Sequence, residues 1–190
     1  MAEPAAAAPG HRDVTASETW DFWLDAARSP FLNMAIDEWL LCTAASRGRP
    51  LLRVYDWDCP AVSIGCHQAY TAAGRRGWAV VRRPTGGGVV FHDGDLTYTV
   101  AIPAGHWLTR AGREASYGHL NQAVADGLRR TAITASLTEQ RTDAHADRRT
   151  MVCFLHPTRY DVVSGGRKVA GAAQRRTADG ILHQGSIRLE

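Results

Sequence analysis

The chain has 190 residues, 45% of them apolar and 22% charged, with a formal net charge of +3. That length suits one domain with a real core, and the composition is that of a soluble globular protein. The arginines are scattered among acids, which argues against a nucleic-acid partner, and no apolar run approaches the ~20 residues that span a bilayer.

Cys42, Cys59, Cys66 and Cys153 are unevenly spaced and follow no secretory signal, so they read as free thiols in a reducing cytoplasm. The opening MAEPAAAAPGHRDVTASE lacks the apolar core of a signal peptide. Residues 1–18 therefore read as a flexible tail and 19–190 as a single domain, with no internal repeat.

In chain order, TWDFWLD alternates and predicts a first strand. SPFLNMAIDEWLLCTAAS predicts a helix capped by Ser29, with Pro30 in its first turn and Leu32, Ile36, Trp39 and Leu40 on one face. LLRVYDW, AVSIG and WAVVRR read as strands, the last running into the loop PTGGG; DLTYTVAIP is a further strand. REASYGHLNQAVADGLRRTAI predicts a second helix with Tyr117, Leu120, Val124 and Leu128 on one side. TEQRTDAHADRRT is polar and aperiodic, an exposed loop. YDVV, RKVAGAA and ILHQGSIRL are short strands separated by the turn signals SGG and ADG, which argue for antiparallel pairing. The fold class is α/β in the mixed (α+β) sense: a largely antiparallel sheet with helices packed on it.

Three segments stand out. In VVRRPTGGGVVFHDGDLTYTV, three consecutive glycines cost backbone entropy that a plain turn does not require. They make sense where main-chain N–H groups approach an anion or a carbonyl oxygen. No Gly-Lys-Ser/Thr follows, so this is not a P-loop. Arg82 and Arg83 lead in and point to opposite faces, one toward a pocket and one toward solvent. His92, judged by residue type alone, is as readily structural as functional.

The second segment, GGRKVAGAAQ, contains Lys168, the only lysine among 22 Lys and Arg residues. An ammonium can lose its proton and fits a narrow slot, and arginine does neither. The competing reading is an accident of composition on a solvated turn, and residue counts leave the two open. Gly165, Gly166 and Gly171 leave room around the lysine, which falls on a hairpin strand and not at an apolar core position. The third segment, MVCFLHPTRYDVV, holds Cys153. Its context suits a small core residue, and Cys153 with His156 lacks the further ligands of a zinc site, so no metal is expected.

Together these motifs resemble the lipoate–protein ligase and octanoyltransferase superfamily, which includes the biotin–protein ligases. RRPTGGGVVFHDGDLTYTV resembles its glycine signature, GRKVAGAAQRR its lysine motif, ILHQGSI the following strand and FLNMAIDEWLL its first helix. The resemblance implies a mixed sheet flanked by helices, related to the core of class II aminoacyl-tRNA synthetases. It implies a single catalytic domain over 19–190 that lacks the C-terminal part usual in the family. Ligases activate a free acid with ATP and need no protein nucleophile. Transferases start from a carrier-protein thioester and pass the acyl group through an enzyme thiol. Cys153, 15 residues before Lys168, resembles the octanoyltransferases whose cysteine lies in a loop before the lysine motif.

The resemblance thus implies an octanoyltransferase of lipoate biosynthesis with Cys153 and Lys168 as its catalytic pair. Arg83, Gly86, Gly87, Gly88, Val89, Val90, Phe91, His92 and Gly171 would bind substrate. The donor would be octanoyl-acyl carrier protein. The acceptor would be a lipoyl domain of a 2-oxoacid dehydrogenase or the glycine cleavage H protein. No cofactor is expected; ATP and Mg would enter only for the alternative, an ATP-dependent lipoate–protein ligase. A non-catalytic acyl- or lipoyl-domain-binding protein is the alternative of another class.

Overall fold

The computed structural model describes residues 18–73, 77–139 and 158–188. In chain order its elements are β1 (Asp21–Leu24), α1 (Pro30–Cys42), α2 (Ala44–Arg47), β2 (Leu51–Tyr55) and β3 (Ala61–Ile64), then a 3-10 turn at Tyr70–Ala73. There follow β4 (Ala79–Arg82), β5 (Val90–His92), β6 (Leu96–Pro103), α3 (Trp107–Arg110), α4 (Arg113–Arg130), β7 (Ser136–Leu137), β8 (Val162–Ser164), β9 (Arg167–Arg176) and β10 (Gly180–Ile187). The flexible tail expected for 1–18 lies almost wholly outside the described residues, as does most of the polar loop.

The strands form two sheets, not the one expected. The larger has the order β1-β2-β6-β10-β9-β8-β7 and is antiparallel except for the parallel pair β1/β2. The smaller has the order β4-β3-β5, with β3 parallel to β4 and antiparallel to β5. The expected turns at SGG and ADG join β8 to β9 and β9 to β10 as antiparallel neighbours.

Two apolar clusters sandwich the large sheet. On one face Tyr98, Val100, Ile102 and Ile181 pack against Leu108 of α3 and Leu120 of α4. On the other, Leu40 and Leu41 of α1 pack on Leu51, Ala101 and Leu182. The small sheet stands on the α1 side, where Val81 of β4 meets Met34 of α1 and Tyr55 of β2.

Helix α1 starts as its sequence requires: Pro30 occupies the first turn and the Ser29 hydroxyl accepts the Leu32 N–H at 3.3 Å. Its buried face is rotated from the one expected. Asn33, Met34, Asp37, Leu40 and Leu41 face inward, while Leu32 and Trp39 are 45% and 58% exposed. The rotation follows from a polar network under the helix. Arg53 on β2 is fully buried. Its Nη1 reaches Asp37 Oδ1 at 2.7 Å, its Nη2 reaches Asp25 Oδ2 at 2.8 Å and Asn33 Oδ1 at 2.7 Å, and its guanidinium lies 3.9 Å from the Tyr55 ring centroid. Asp37 Oδ2 in turn accepts from the Tyr55 hydroxyl (2.8 Å), the Thr99 hydroxyl (2.7 Å) and the Gln184 amide (2.7 Å). Burial pushes the Asp37 carboxyl upward, and Arg53 together with these neutral donors opposes the shift. In α4 the expected Leu120 and Leu128 are buried, but Ser116, Asn121 and Ala125 share that face with them.

Arg53→Leu would leave Asp37 and Asp25 without their shared cation. Breaking a buried pair in this way costs about 3–5 kcal/mol, so the variant should show a correspondingly lower urea midpoint with an unchanged m-value.

His183 on β10 supplies a pH-dependent component of stability. Its ring is fully buried, its Nδ1 pairs with the Gln174 amide at 3.1 Å, and its Nε2 has no hydrogen-bond partner among the described residues. Burial lowers its pKa to about 3. A His depressed in the folded state contributes stability that is complete above its unfolded pKa, near 6.5, and is lost as pH falls toward the folded value. Between pH 7 and pH 5 the loss from this one ring is about 2 kcal/mol. His183→Phe should lose less stability over that interval than the unaltered chain, read as the change in urea midpoint at the two pH values.

Candidate functional site

The two glycine-rich motifs meet at a cleft between the sheets. It encloses about 440 Å³, including its mouth. Its walls come from α1 and β2 (Met34, Tyr55), from Trp57 and from the small sheet (Ser63, Val90, His92); Gly171 to Ala173 on β9 and Gln184 to Ser186 on β10 form its floor. The surface is predominantly apolar, and the small residues of β9 make the floor flat enough for a thin ligand.

Arg82 and Arg83 do face opposite ways. Arg82 is exposed, and its Nη1 bonds the carbonyls of Gly65 (3.1 Å) and Gln68 (2.6 Å). Arg83 is buried and lines the cleft. Its Nε donates to Gly86 O (3.1 Å), its Nη1 to Ser63 O (3.0 Å) and Ser63 Oγ (3.1 Å), and its Nη2 to Gly86 O (2.7 Å) and Gly88 O (2.6 Å). A guanidinium has five N–H donors, and these five contacts, made to four protein oxygens, account for all of them. Arg83 thereby staples the glycine loop by its carbonyl oxygens. The loop also packs on Gly65, where a Cβ would lie 2.2 Å from the Gly87 carbonyl oxygen. Thr85, just before the glycines, donates to Gln184 Oε1 at 2.7 Å and so ties the loop to the Asp37–Arg53 network.

His92 is buried in a fixed setting. Its Nδ1 lies 2.9 Å from Asp95 Oδ2, its Nε2 lies 2.8 Å from Ser63 Oγ, and its ring stacks on Trp57 at 4.0 Å between centroids. Burial lowers its pKa against the opposing pull of Asp95. A neutral ring donating from Nδ1 to the carboxylate and accepting at Nε2 from the Ser63 hydroxyl satisfies both contacts.

Lys168 is not on a solvated turn. Its side chain is 2% exposed, and its Nζ lies 2.7 Å from Asp161 Oδ2, itself 1% exposed. Contrary to the expectation of a position outside the core, a buried ion pair is part of the packing here. The β8/β9 register slips between Val162 and Val163, whose partners are Ala170 and Lys168, so Val169 is an extra residue on β9. The bulge brings Lys168 and Gly171 together. A Cβ at Gly171 would sit 2.4 Å from Lys168 Cε and 2.7 Å from Nζ, so only glycine leaves the lysine its place.

Of the expected site residues, Arg83, Val90, His92 and Gly171 line the cleft. Lys168 lies against Gly171 at its flank. Val89 packs with Val62 and Ile64 in the small sheet's own core, and Phe91 packs against that cluster. These two side chains point away from substrate duty, leaving their main chain for it. Gly86, Gly87 and Gly88 form the stapled loop. Cys153 and His156 lie outside the described residues. Sequence reasoning missed Ser63, Asp95, Asp161 and Gln184; the one available signal was an aspartate opening the otherwise apolar strand YDVV. Among the described residues no group of three or more His, Cys, Asp or Glu side chains could hold a metal, and no helix is long and apolar enough to cross a membrane.

Comparison with known proteins agrees with this architecture. The chain is 36% identical over 180 residues to octanoyltransferase LipM of Moorella thermoacetica, covering 91% of this chain and 66% of that protein. It is 38% identical over 185 residues to octanoyltransferase LipM of Halalkalibacterium halodurans, covering 91% and 67%. The chain thus spans about two thirds of the length of these relatives. Among solved structures, the bipartite lipoate protein ligase of Thermoplasma acidophilum, studied with its E2 lipoyl domain, superposes with a TM-score of 0.67 at 24% identity, over 92% of this chain and 63% of that one. This likeness confirms the mixed fold. The family model for the lipoyl protein ligase A/B catalytic domain matches residues 29–190. With that match running over most of its length, the chain belongs to the family of lipoyl protein ligase A/B catalytic domains.

Proposed function

We propose that the protein transfers an octanoyl group from octanoyl-acyl carrier protein, through a thioester on Cys153, to a lysine of a lipoyl domain. The observation that carries this reading is the character of the cleft. Among the described residues, the arginine of the lining uses all five N–H donors on the protein and the imidazole is neutral, so this lining offers an acyl chain apolar walls but offers a nucleotide phosphate no uncommitted cation. Burying about six methylenes there at ~0.8 kcal/mol each supplies on the order of 5 kcal/mol, enough to select for chain length. The relatives' names point the same way.

The chemistry needs a thiolate, since a free thiol is only about 3% ionised near neutral pH. A Lys168 ammonium acting on Cys153 would favour it. The thiolate attacks the carrier-protein thioester, and the carrier sulfur leaves as a thiol by taking a proton from the Lys168 ammonium, which becomes the neutral amine. The substrate lysine amine then attacks the acyl-enzyme, expels the Cys153 thiolate and gives its proton to the Lys168 amine. N–H groups of the Gly86–Gly88 loop would stabilise the tetrahedral oxyanion. No cofactor takes part, and a carrier-protein donor places the reaction in the cytoplasm. The acceptor would be a lipoyl domain of a 2-oxoacid dehydrogenase or the glycine cleavage H protein.

Incubation with octanoyl-acyl carrier protein, without ATP, should add one octanoyl group to the chain by intact-mass spectrometry. Cys153→Ala should abolish the adduct, whereas Cys42, Cys59 and Cys66 should each be replaceable. With free lipoate and ATP, a lipoyl domain should stay unmodified. Robust ATP-dependent modification, or full transfer by Cys153→Ala, would shift the assignment to the ligase chemistry.

A further inference from the structure

We infer that Asp161 is a positioning residue for acyl transfer, holding the Lys168 ammonium in the one orientation the reaction uses. The inference rests on the proposed Cys153/Lys168 chemistry and deepens it.

Three donors converge on one oxygen of this carboxylate. Oδ2 lies 2.7 Å from Lys168 Nζ, 2.6 Å from the Thr158 main-chain nitrogen and 2.9 Å from Thr158 Oγ1, while Oδ1 lies 3.2 Å from the Tyr117 hydroxyl, whose one proton also reaches the Ala172 carbonyl at 2.8 Å. A carboxylate only accepts, which suits a site crowded with donors; an amide of the same shape would turn an NH₂ group toward one of them. The Asp161 main chain is fixed as firmly. Its N–H donates to Thr158 O at 2.9 Å, and its carbonyl accepts from the Thr138 N–H at 2.9 Å. The carboxylate is therefore a rigid anchor, and the ammonium lies at the end of a flexible stem.

The backbone around it shapes the path of that stem. Gly171 offers no side chain against it, and the bulge at Val169 determines which way it leaves the strand. A catalytic group misplaced by about 1 Å loses roughly 10²-fold in rate, so the anchor matters to chemistry as well as to folding. Thr158, held by the same carboxylate, stands five residues beyond Cys153 in the chain.

The test uses the full chain and follows octanoyl transfer from octanoyl-acyl carrier protein to a lipoyl domain. Asp161→Asn should lower kcat at least about tenfold while KM for the carrier protein stays within about threefold, the split expected when geometry and not binding is lost. Added to Lys168→Ala, it should slow transfer no further than about twofold, because it acts through the lysine. A wild-type kcat for Asp161→Asn, or losses that multiply in the double variant, would overturn the inference. Full transfer by Lys168→Ala would sink the functional reading itself, and this inference with it. Should Asp161→Asn fail to fold, Thr158→Val removes the Oγ1 donor from the carboxylate and keeps the shape of the side chain. A kcat lowered about two- to fivefold at constant KM would support the anchor, and an unchanged kcat would overturn it.

Discussion

The buried contact between Arg53 and Asp37 sets the position of nearly everything else. One guanidinium joins β2 to α1 and to the turn after β1. One carboxylate joins α1 to β2, β6 and β10. Gln184, bonded to that carboxylate, carries the connection through Thr85 to the start of the glycine loop. A buried ion pair is weak evidence for stability, since apolar replacements are often as good. Its geometry is directional, however, and hydrocarbon packing is not. Replacing this network by leucines would preserve burial while losing the register that aims Thr85, and with it the loop, at the cleft.

The same economy of charge shapes the cleft. Arg83 is spent on loop carbonyls, and His92 is neutral between Asp95 and Ser63. Lys168, at the flank of the floor, is matched by Asp161. A cleft with its cations committed is suited to a long apolar chain ending in a reactive carbonyl. The lysine's need for space explains the glycine at 171, and the glycine explains why the floor is shallow there.

Much of this was legible in the sequence, for local reasons. Caps and turns are short-range devices, so Ser29, Pro30, SGG and ADG announced α1 and the β8–β9–β10 meander. Alternation along a strand announced the opposite facing of Arg82 and Arg83. The misreadings share a cause. Apolar periodicity put Leu32 and Trp39 inward, because it counts hydrophobic residues and cannot see that Asn33 and Asp37 are satisfied by an arginine 20 and 16 residues away. The second sheet was hidden because β5 is only three residues long and follows three glycines. Asp161 was invisible as a partner, since nothing local says that a lysine seven residues on will fold back over a bulge to meet it. The lone lysine stood out as an exception to composition, yet only the structure shows it buried and paired.

Whether position 168 needs a lysine is tested most directly by the single-turnover rate of octanoyl transfer in Lys168→Arg, alongside its thermal midpoint. The substitution keeps the charge, removes a group able to give up a proton, and forces a broad planar head into the space above Gly171. The account predicts a rate at least roughly 10²-fold below that of the unaltered chain in a protein that still folds. A folded Lys168→Arg protein that transfers octanoate at the original rate would contradict it.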